Sequence, residues 1–328
     1  MQLAILGFGV MGERLTRAAL DHPDPAIRLT GVWDPAPAAM ARLKRDLPDV
    51  AHHGTVEAAI ASADCVYIAS PPKTHLAHAR AALAAGKAVF TEKPLGVDLA
   101  DSQAFVRETR GQRAAVNFVF ASSPAVAQLK AWQAAGAVGQ PRSLKIETDF
   151  QAWPRGWQMD AASWLARRGE GGFTREVVSH FLFLTMRMLG NTVLGDAHVD
   201  FPPGDGAETA IEATLAAGDV PVALTGGVGV TEKADHNLWL LEGDAGRIRL
   251  RDWSTAERLE ADGVWRAAAD VRPHEEVRPL ILRDQLSKLA AMTAGQPHDL
   301  ATPAEALAVQ EIVEAILARG AQAHRCCT

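Results

Sequence analysis

The chain is short of cysteine, has no long apolar run and has no cluster of basic residues, and each shortage excludes a class of protein. Three cysteines in 328 residues cannot form the disulfide framework of a small secreted domain. No uninterrupted apolar run reaches the ~18 residues of a membrane-spanning helix. No basic run of five residues occurs and the net charge is −6, which disfavours nucleic acid as the main partner.

These shortages favour a cytoplasmic protein whose partner is a small molecule. The N-terminus enters a predicted strand without the basic segment of a signal peptide. Cys65 falls in a predicted buried strand. Cys326 and Cys327 are adjacent at the chain end, where a frayed terminus is a simpler expectation than a metal or redox site. We therefore predict no metal centre, and 328 residues suit about two domains.

A glycine-rich turn near the start predicts a dinucleotide site. The apolar segment Leu3–Leu6 leads directly into Gly7-Phe8-Gly9-Val10-Met11-Gly12, and Asp34 follows 22 residues after the last of these glycines. In this pattern the first glycine makes a tight turn, the second lets the backbone approach a pyrophosphate, and the third lets the helix pack on the strand. The N–H groups at the helix start then face the phosphates.

Strands and helices alternate in the first part of the chain, which predicts a parallel, doubly wound sheet over residues 1–120. Short apolar runs indicate strands covered on both faces. The predicted strands are Leu3–Leu6, Leu29–Trp33, Cys65–Ala69, Ala88–Thr91 and Ala114–Phe118, with a weaker run near Val50. The predicted helices are Glu13–Asp21, Pro37–Asp46, Val56–Ala61, Thr74–Ala85 and Leu99–Arg110.

The rhythm changes after Pro124 and predicts an α+β domain over residues 121–328, with a mostly antiparallel open sheet. Its last helix is expected to pack back on the first domain. The predicted strands are Arg142–Phe150, Ala197–Phe201, Thr209–Ala216, Val220–Val230, Asn237–Glu242 and Arg247–Arg251. The predicted helices are Ala125–Ala135, Glu176–Leu189, Pro279–Ala294 and Pro303–Ala318, and Gln151–Gly172 is a predicted loop rich in tryptophan.

Lys93 is the first candidate for chemistry. It follows a predicted parallel strand at its carboxyl end, where ligands of open α/β sheets bind. There its ammonium can meet a substrate oxygen beside a nicotinamide, and Glu92 can pair with it. Ser70-Pro71-Pro72 ends the preceding strand in the same way, and His75 lies one turn into the next helix.

Glu176 and His180 are the second candidate pair. They are four residues apart, so an α-helix would present them on one face. Histidine suits proton transfer near neutral pH. The glycines just upstream would let the chain come near a ligand. Such a pair alone is more often a surface pair or a core histidine, so its neighbours decide the interpretation.

These motifs together resemble the Gfo/Idh/MocA family of NAD(P)-dependent oxidoreductases. The glycine turn matches, and the stretches from Ser70 to His75 and from Ala85 to Leu95 resemble the family's second signature. Gly136–Pro141 resembles the connection into the second domain. The resemblance covers essentially the whole chain and is most specific over residues 1–100. It implies a Rossmann domain followed by a substrate domain.

The resemblance also implies roles. Lys93 corresponds to the family's substrate-orienting lysine, and His180 to its general acid/base. Glu176 stands where the family most often has aspartate. Two departures affect the substrate pocket: Val178 replaces a glycine between the acid and the histidine, and Ala121 replaces an arginine often found near this position.

The cofactor prediction is NAD, with NADP possible. A carboxylate such as Asp34 binds the ribose 2′-hydroxyl and repels a 2′-phosphate, and Pro35 and Ala36 supply no adjacent cation. The predicted cofactor-binding residues are Gly7, Phe8, Gly9, Val10, Met11, Gly12, Asp34, Ser70, Pro71, Pro72, His75, Glu92 and Lys93.

The substrate prediction is a sugar, cyclitol or related small polyol whose secondary alcohol or carbonyl exchanges a hydride with the nicotinamide. The predicted catalytic residues are Lys93, His180 and Glu176. The predicted substrate-binding residues are Lys93, Trp153, Arg155, Trp157, Trp164, Glu176 and His180, with His236, Trp239 and Arg283 as weaker candidates. Each tryptophan is as readily explained by packing at the domain junction.

Two alternatives stay open on the sequence. One is reduction of an imine or another non-sugar double bond, which the altered motif permits. The other is a nucleotide-sensing protein without catalysis, since a fold does not fix a function. Finally, the apolar stretch Val222–Val228 predicts a homodimer or homotetramer formed through the open sheet.

Overall fold

The computed structural model describes residues 1–323 of the chain. The cysteine pair Cys326 and Cys327 lies outside this range. Among the described residues, no helix combines the length and the apolar character needed to cross a membrane. In the same range, no group of three or more His, Cys, Asp or Glu side chains is arranged to hold a metal ion.

The chain divides into two compact units. The first unit holds Met1–Ala121 and Pro279–Ala308, and the second holds Ser122–Arg278 and the residues from Val309 onward. The predicted division of labour, with cofactor binding in the N-terminal domain and substrate binding and assembly in the C-terminal domain, stays a prediction.

Five parallel strands form the sheet of the first unit, in the spatial order β2-β1-β3-β4-β5. The order changes direction between β1 and β3, which is where doubly wound sheets bind their ligands. The strands are β1 (Gln2–Leu6), β2 (Arg28–Trp33), β3 (Cys65–Ile68), β4 (Ala88–Thr91) and β5 (Ala114–Val116). The helices between them are α1 (Val10–Leu20), α2 (Pro37–Asp46), α3 (Val56–Ala61), α4 (His75–Ala84) and α5 (Leu99–Glu108).

The sequence prediction of this sheet is confirmed, with one exception. The run near Val50 does not form a strand, and His52 makes only an isolated bridge to Val32. Apart from β2, the strands that did form are almost wholly buried, and every residue of β3 and β4 is buried. Continuous burial explains why their apolar runs were readable, whereas the segment around Val50 is mostly exposed.

The second unit contains an eight-stranded sheet in the order β13-β12-β11-β10-β6-β9-β8-β7. Only the β6–β9 pair is parallel, so the predicted mostly antiparallel sheet is confirmed. The strands are β6 (Pro141–Phe150), β7 (Thr192–Asp200), β8 (Ala210–Ala217), β9 (Val220–Val228), β10 (Asp235–Gly243), β11 (Arg247–Arg251), β12 (Thr255–Leu259) and β13 (Trp265–Ala267). The helices are α6 (Pro124–Ala134), α7 (Ala162–Leu165), α8 (Ser179–Leu189), α9 (His274–Thr293) and α10 (Pro303–Ala323), of which α9 and α10 contribute to both units.

Two helix starts differ from the sequence prediction. Helix α9 begins at His274 rather than at Pro279, which lies inside it, so one further turn precedes the proline. Thr174–Val178 forms a π-helical turn that leads into α8. A proline lacks the N–H that a helix interior needs, so its position is easily taken for a start.

The strand β9 corrects the reasoning behind the predicted assembly. Its residues alternate between buried and exposed, so Val222 and Leu224 point into the protomer's own core. The exposed side of this strand carries Pro221, Ala223 and Thr225 instead. The exposed face of β9 is therefore less apolar than the sequence Val222–Val228 indicates. The predicted homodimer or homotetramer stays a prediction.

Candidate active site

The glycine turn connects the carboxyl end of β1 to α1. Gly7 has a φ of +101°, and a Cβ there would meet the backbone of Ala69 at 2.7 Å, so only glycine fits between the ends of β1 and β3. At Gly12 a Cβ would meet the Gly7 carbonyl oxygen at 1.9 Å. A Cβ on Gly9, in contrast, would meet nothing within 4 Å. The turn therefore offers open space over the backbone where the fingerprint expects a pyrophosphate, and NAD fits these residues.

Asp34 is fixed beside this turn. Its carboxylate accepts hydrogen bonds from the Phe8 N–H at 2.7 Å and from the Ala36 N–H at 2.8 Å. Arg42, from α2, donates to the Phe8 carbonyl and lies 5.2 Å from the Phe8 ring centroid. Arg42 was missed from the sequence because only Pro35 and Ala36, next to Asp34, were considered as sources of a cation. A cation therefore lies at the same turn as the carboxylate.

The carboxyl ends of β1, β3, β4 and β5 are in register. Leu6 pairs with Ile68, Ile68 with Thr91, and Thr91 with Val116. The residues that follow each strand therefore lie along one edge of the sheet. That edge carries the predicted site residues of the first unit, including Gly7, Ser70, Glu92 and Lys93.

His75 ties two loops of this edge together. Its buried ring has Nδ1 at 2.9 Å from the Pro94 carbonyl oxygen and Nε2 at 2.8 Å from the Ser70 carbonyl oxygen. The ring thus bridges the loop after β3 and the loop that contains Lys93. Direct contact between His75 and a cofactor stays a prediction, while its bridging role explains why a histidine occurs here.

Glu92 anchors the loop that contains Lys93 through buried hydrogen bonds. Its buried Oε1 accepts hydrogen bonds from the hydroxyl of Tyr67, the only tyrosine of the chain, and from Asn117 Nδ2 at 2.6 Å. Gln285 Nε2, from α9, donates to Asn117 Oδ1 at 2.6 Å. Burial, together with Glu92, raises the pKa of Tyr67 well above its usual value. Sequence reasoning missed Tyr67 and Gln285 because they lie on separate elements.

The π-helical turn before α8 is shaped by two glycines. A Cβ on Gly171 would meet the Leu165 carbonyl oxygen at 2.2 Å, and Gly172, with a φ of +98°, would place a Cβ 2.2 Å from Glu208 Oε2. Glu208 is buried, and its Oε1 accepts the Thr174 N–H at 2.7 Å. Gly171 and Gly172 therefore make room for the chain's own backbone and for Glu208, and a ligand beside the upstream glycines stays a prediction.

This turn presents Glu176 and His180. A π turn is wider than an α turn and is found often at functional sites. His180 is buried at its end and meets the Trp253 ring edge-on, with centroids 5.5 Å apart. Asp252 and Trp253 have φ values of 48° and 72°, a left-handed bend that is strained for a tryptophan. The bend points the indole at the histidine, and sequence reasoning missed it.

Arg155 is linked to Trp253 through the carboxylate of Asp235. It is buried and donates to Asp235 Oδ2 at 2.7 Å, and the indole N–H of Trp253 donates to that same oxygen at 3.3 Å. Burial lowers the pKa of Arg155, while Asp235 and nearby Glu176 act in the opposite direction. The second unit therefore brings Arg155, Glu176 and His180 into one neighbourhood.

The predicted tryptophans have different surroundings. Trp157 is 44% exposed and lies 4.7 Å from the Arg155 guanidinium, so it belongs to this neighbourhood. Trp153 packs against Phe150 and Phe173 and donates to the Leu165 carbonyl, as a packing residue would. Trp164 lies in α7, where its carbonyl crowds Gly171, and its contact with substrate stays a prediction.

Two of the weaker candidates have structural roles. Trp239 is fully buried and donates to Thr185 Oγ1 at 3.0 Å, which ties the sheet to α8. His236 lies on the opposite face of β10 from Asp235 and bonds Asp252 Oδ1 at 3.0 Å. Arg283 belongs to the first unit, where its carbonyl meets His22.

Comparison with known proteins identifies the relatives of this chain. Residues 1–119 match the model of an oxidoreductase family described as having an NAD-binding Rossmann fold. That family is Gfo/Idh/MocA, and the match extends over these residues alone. Over residues 1–119 the match confirms the predicted resemblance, and its description, an NAD-binding Rossmann fold, agrees with the predicted NAD cofactor.

Two curated members of this group are similar to part of the chain. A 1-carboxy-3-chloro-3,4-dihydroxycyclohexa-1,5-diene dehydrogenase of Comamonas testosteroni is 39% identical over 103 residues, 31% of this chain and 25% of the relative. Inositol 2-dehydrogenase 3 of Saccharopolyspora erythraea is 30% identical over 148 residues, 43% of each protein. The chain thus aligns with less than half the length of either relative.

Solved structures of Gfo/Idh/MocA proteins share the whole fold. An oxidoreductase from Agrobacterium radiobacter, in complex with NAD+, L-tartaric acid and magnesium, has a TM-score of 0.82 at 19% identity and covers 98% of this chain and 96% of its own. A putative myo-inositol dehydrogenase from Sinorhizobium meliloti has a TM-score of 0.79 at 18% identity and covers 98% of both chains. Identities this low establish the fold alone.

Proposed function

We propose that the protein is an NAD-dependent dehydrogenase that acts on a secondary hydroxyl, or the corresponding ketone, of a sugar, cyclitol or related ring polyol. The observation that carries this proposal is the open space over Gly9 beside a fixed Asp34, because it provides the nucleotide site on which hydride chemistry depends. The names of both curated relatives, a dihydroxycyclohexadiene and an inositol dehydrogenase, describe hydroxylated carbon rings and support the substrate class.

NAD, when bound, supplies the hydride acceptor at the nicotinamide. The protein supplies orientation and proton handling. His180 accepts the hydroxyl proton as the carbon loses its hydride, and Lys93 donates a hydrogen bond to the same oxygen. Glu176 holds substrate and histidine in place. The alcohol thereby becomes a ketone, the cofactor is reduced, and the proton remains on His180 until solvent takes it.

His180 suits this role because of its surroundings. It is buried against Trp253, which limits the ring to few orientations and shields it from bulk water. Lys93 suits its role because it follows β4 at the ligand-binding edge, on a loop held by His75 and Glu92. The meeting of the two groups at one substrate oxygen is the central step of the proposal.

The experiment is a nicotinamide absorbance assay with a panel of ring polyols. Wild-type protein should reduce NAD with at least one of them. Lys93→Met should bind NADH nearly as wild type does, measured by fluorescence, and lose most of its turnover. The control, Lys145→Met, removes an exposed lysine on β6 and should change neither quantity. Retained turnover in Lys93→Met would exclude the role of this lysine.

The panel also separates enzyme from sensor. Tight NADH binding with no absorbance change for any alcohol, ketone or imine would favour a nucleotide-sensing protein. Turnover of imines alone would favour the non-sugar reductase. In either case the ring-polyol dehydrogenase is wrong.

A further inference from the structure

Two arginines of the second unit lie next to its candidate catalytic residues, and only one of them has an ion pair in the part of the chain that the structure describes. Arg155 and Arg278 both approach the ring of Trp157, with guanidinium carbons 4.7 and 5.9 Å from its centroid. Arg155 is neutralised by Asp235 at 2.7 Å. Arg278 has no carboxylate within ion-pair distance among the described residues, and its guanidinium meets His274 Nε2 at 2.8 Å. Arg278 is therefore the arginine of this cluster that has no ion pair among the described residues.

The surroundings make this charge costly. Partial burial lowers the pKa of Arg278, and the neighbouring Arg155 lowers it further, while Asp235 and Glu275 act in the opposite direction. A guanidinium that is partly desolvated beside a second guanidinium gains most from an added anion. A planar carboxylate matches its fork of N–H donors in a bidentate geometry.

The cluster is continuous with the candidate catalytic histidine. The Trp253 indole contacts His180 at 5.5 Å and His274 at 6.2 Å between ring centroids. The same indole donates to Asp235, the partner of Arg155. Trp253 is thus linked to Arg155 through Asp235 and to Arg278 through His274. A ligand beside His180, which contacts the same indole, has Arg278 within its neighbourhood.

We propose that Arg278 forms a carboxylate subsite, and that the substrate is a ring polyol bearing a carboxylate, such as a uronate or a hydroxylated cyclohexane carboxylate. This inference rests on the proposed function and names the substrate class of the same site. The exposed indole of Trp157, adjacent to both guanidiniums, covers one face of the sugar or cyclitol ring. A single guanidinium without an ion pair matches a single negative charge better than the dianion of a phosphate ester.

The kinetic test compares substrates that differ only in the carboxylate. The pairs are D-glucuronate with D-glucose and D-galacturonate with D-galactose, with D-glucose 6-phosphate as the other anion. Wild type should favour the carboxylate by about 10-fold or more in kcat/KM, the size expected for a charged hydrogen-bonded contact. Arg278→Met should bring the ratio close to one, and Arg278→Lys should retain part of it. Arg266→Met, an exposed arginine on β13, should leave the ratio unchanged.

A binding test separates the two proposals. Cyclohexanecarboxylate should quench tryptophan fluorescence of the NADH complex, and cyclohexanecarboxamide should not. Arg278→Met should abolish the effect. Loss of this charge preference, or its survival in Arg278→Met, would overturn the carboxylate subsite even if neutral polyols are oxidised. If no polyol is oxidised but the carboxylate binds through Arg278, the dehydrogenase fails and the anion site stands. A preference for the phosphate ester would overturn the carboxylate.

Discussion

At the scale of single residues, we expect the cofactor choice to depend on two side chains that bind the same residue of the glycine turn. Asp34 accepts the N–H of Phe8 and Arg42 donates to its carbonyl. The carboxylate opposes a ribose 2′-phosphate, whereas the guanidinium would attract one. We propose that the balance between these charges sets the preference between NAD and NADP.

We expect wild type to prefer NAD, and Asp34→Ser to lower the ratio of kcat/KM for NAD over NADP by about 10-fold or more, because the repulsion is removed while the cation remains. In the Asp34→Ser variant, the additional substitution Arg42→Met should reverse part of the gain in NADP use. The measurement is the ratio of catalytic efficiencies, or of NADH and NADPH dissociation constants. A wild type that strongly prefers NADP would contradict the assignment of Asp34.

Residue identity was predictable where a local pattern fixes it. Gly7, Asp34 and Lys93 each follow a strand at a readable spacing, so their positions were accessible from the sequence. Trp253 and Arg278 were not. Trp253 points at His180 only because of a left-handed bend after β11, and Arg278 lies in the turn of α9 before Pro279. Both depend on tertiary contacts that no short window contains.

At the scale of elements, the π-helical turn before α8 is the feature that presents Glu176 and His180. Gly172 is required there for two reasons: its φ of +98° and the 2.2 Å approach of a Cβ to Glu208 Oε2. Gly204 offers a matched control, because it has a φ of +86° and open space around its Cβ.

Gly204→Ala should lower the free energy of unfolding by about 1 kcal/mol, the cost of a left-handed alanine. Gly172→Ala should cost more, because Glu208 or the turn must also shift, and it should reduce kcat while NADH binding changes little. Urea denaturation and steady-state kinetics measure both effects. Equal costs for the two variants would show that the contact with Glu208 does not constrain the turn.

Glu208 gives the turn a pH dependence. Burial raises its pKa above the usual 4.5, so the folded protein holds this proton more tightly than the unfolded chain does. Its contribution to the free energy of unfolding therefore falls as the pH rises from about 4.5 through the raised folded value. Glu208→Gln keeps an oxygen for the Thr174 N–H but does not ionise.

Glu208→Gln should gain stability relative to wild type as the pH rises from about 4.5 through the raised pKa of Glu208. Below that range the free energies of unfolding of the two proteins should differ least. Urea denaturation at a series of pH values measures the difference. Parallel curves for the two proteins would mean that Glu208 does not titrate with a raised pKa.

Elements with continuous burial were predictable, whereas elements defined by long-range packing were not. The strands β3 and β4 are buried throughout and stand out as apolar runs. The short strands β12 and β13 carry charged residues and were missed. The π turn was also missed, and the carboxylate that accepts its Thr174 N–H belongs to Glu208, 32 residues beyond Glu176 in the sequence.

At the scale of the whole molecule, the predicted assembly uses the open face of the eight-stranded sheet. The exposed side of β9 carries small residues, with Ala223 at its centre. If copies of the chain associate there, Ala223→Arg should lower the molar mass measured by light scattering while the thermal midpoint at low concentration changes little. The control, Ala61→Arg, alters an exposed alanine of α3 and should leave the mass unchanged. A monomeric wild type at micromolar concentration would contradict the assembly.

The central claim is that a substrate carbon exchanges a hydride directly with the nicotinamide, in either direction, while Lys93 and His180 bind its oxygen and transfer its proton. The most direct measurement is isotope transfer from NADH deuterated at C4 to a ring ketone, with the product analysed by mass spectrometry. The account predicts deuterium on the carbinol carbon with wild type, and almost none with His180→Ala or Lys93→Met although both bind NADH. Absence of deuterium in the wild-type product, or undiminished transfer in both variants, would contradict it.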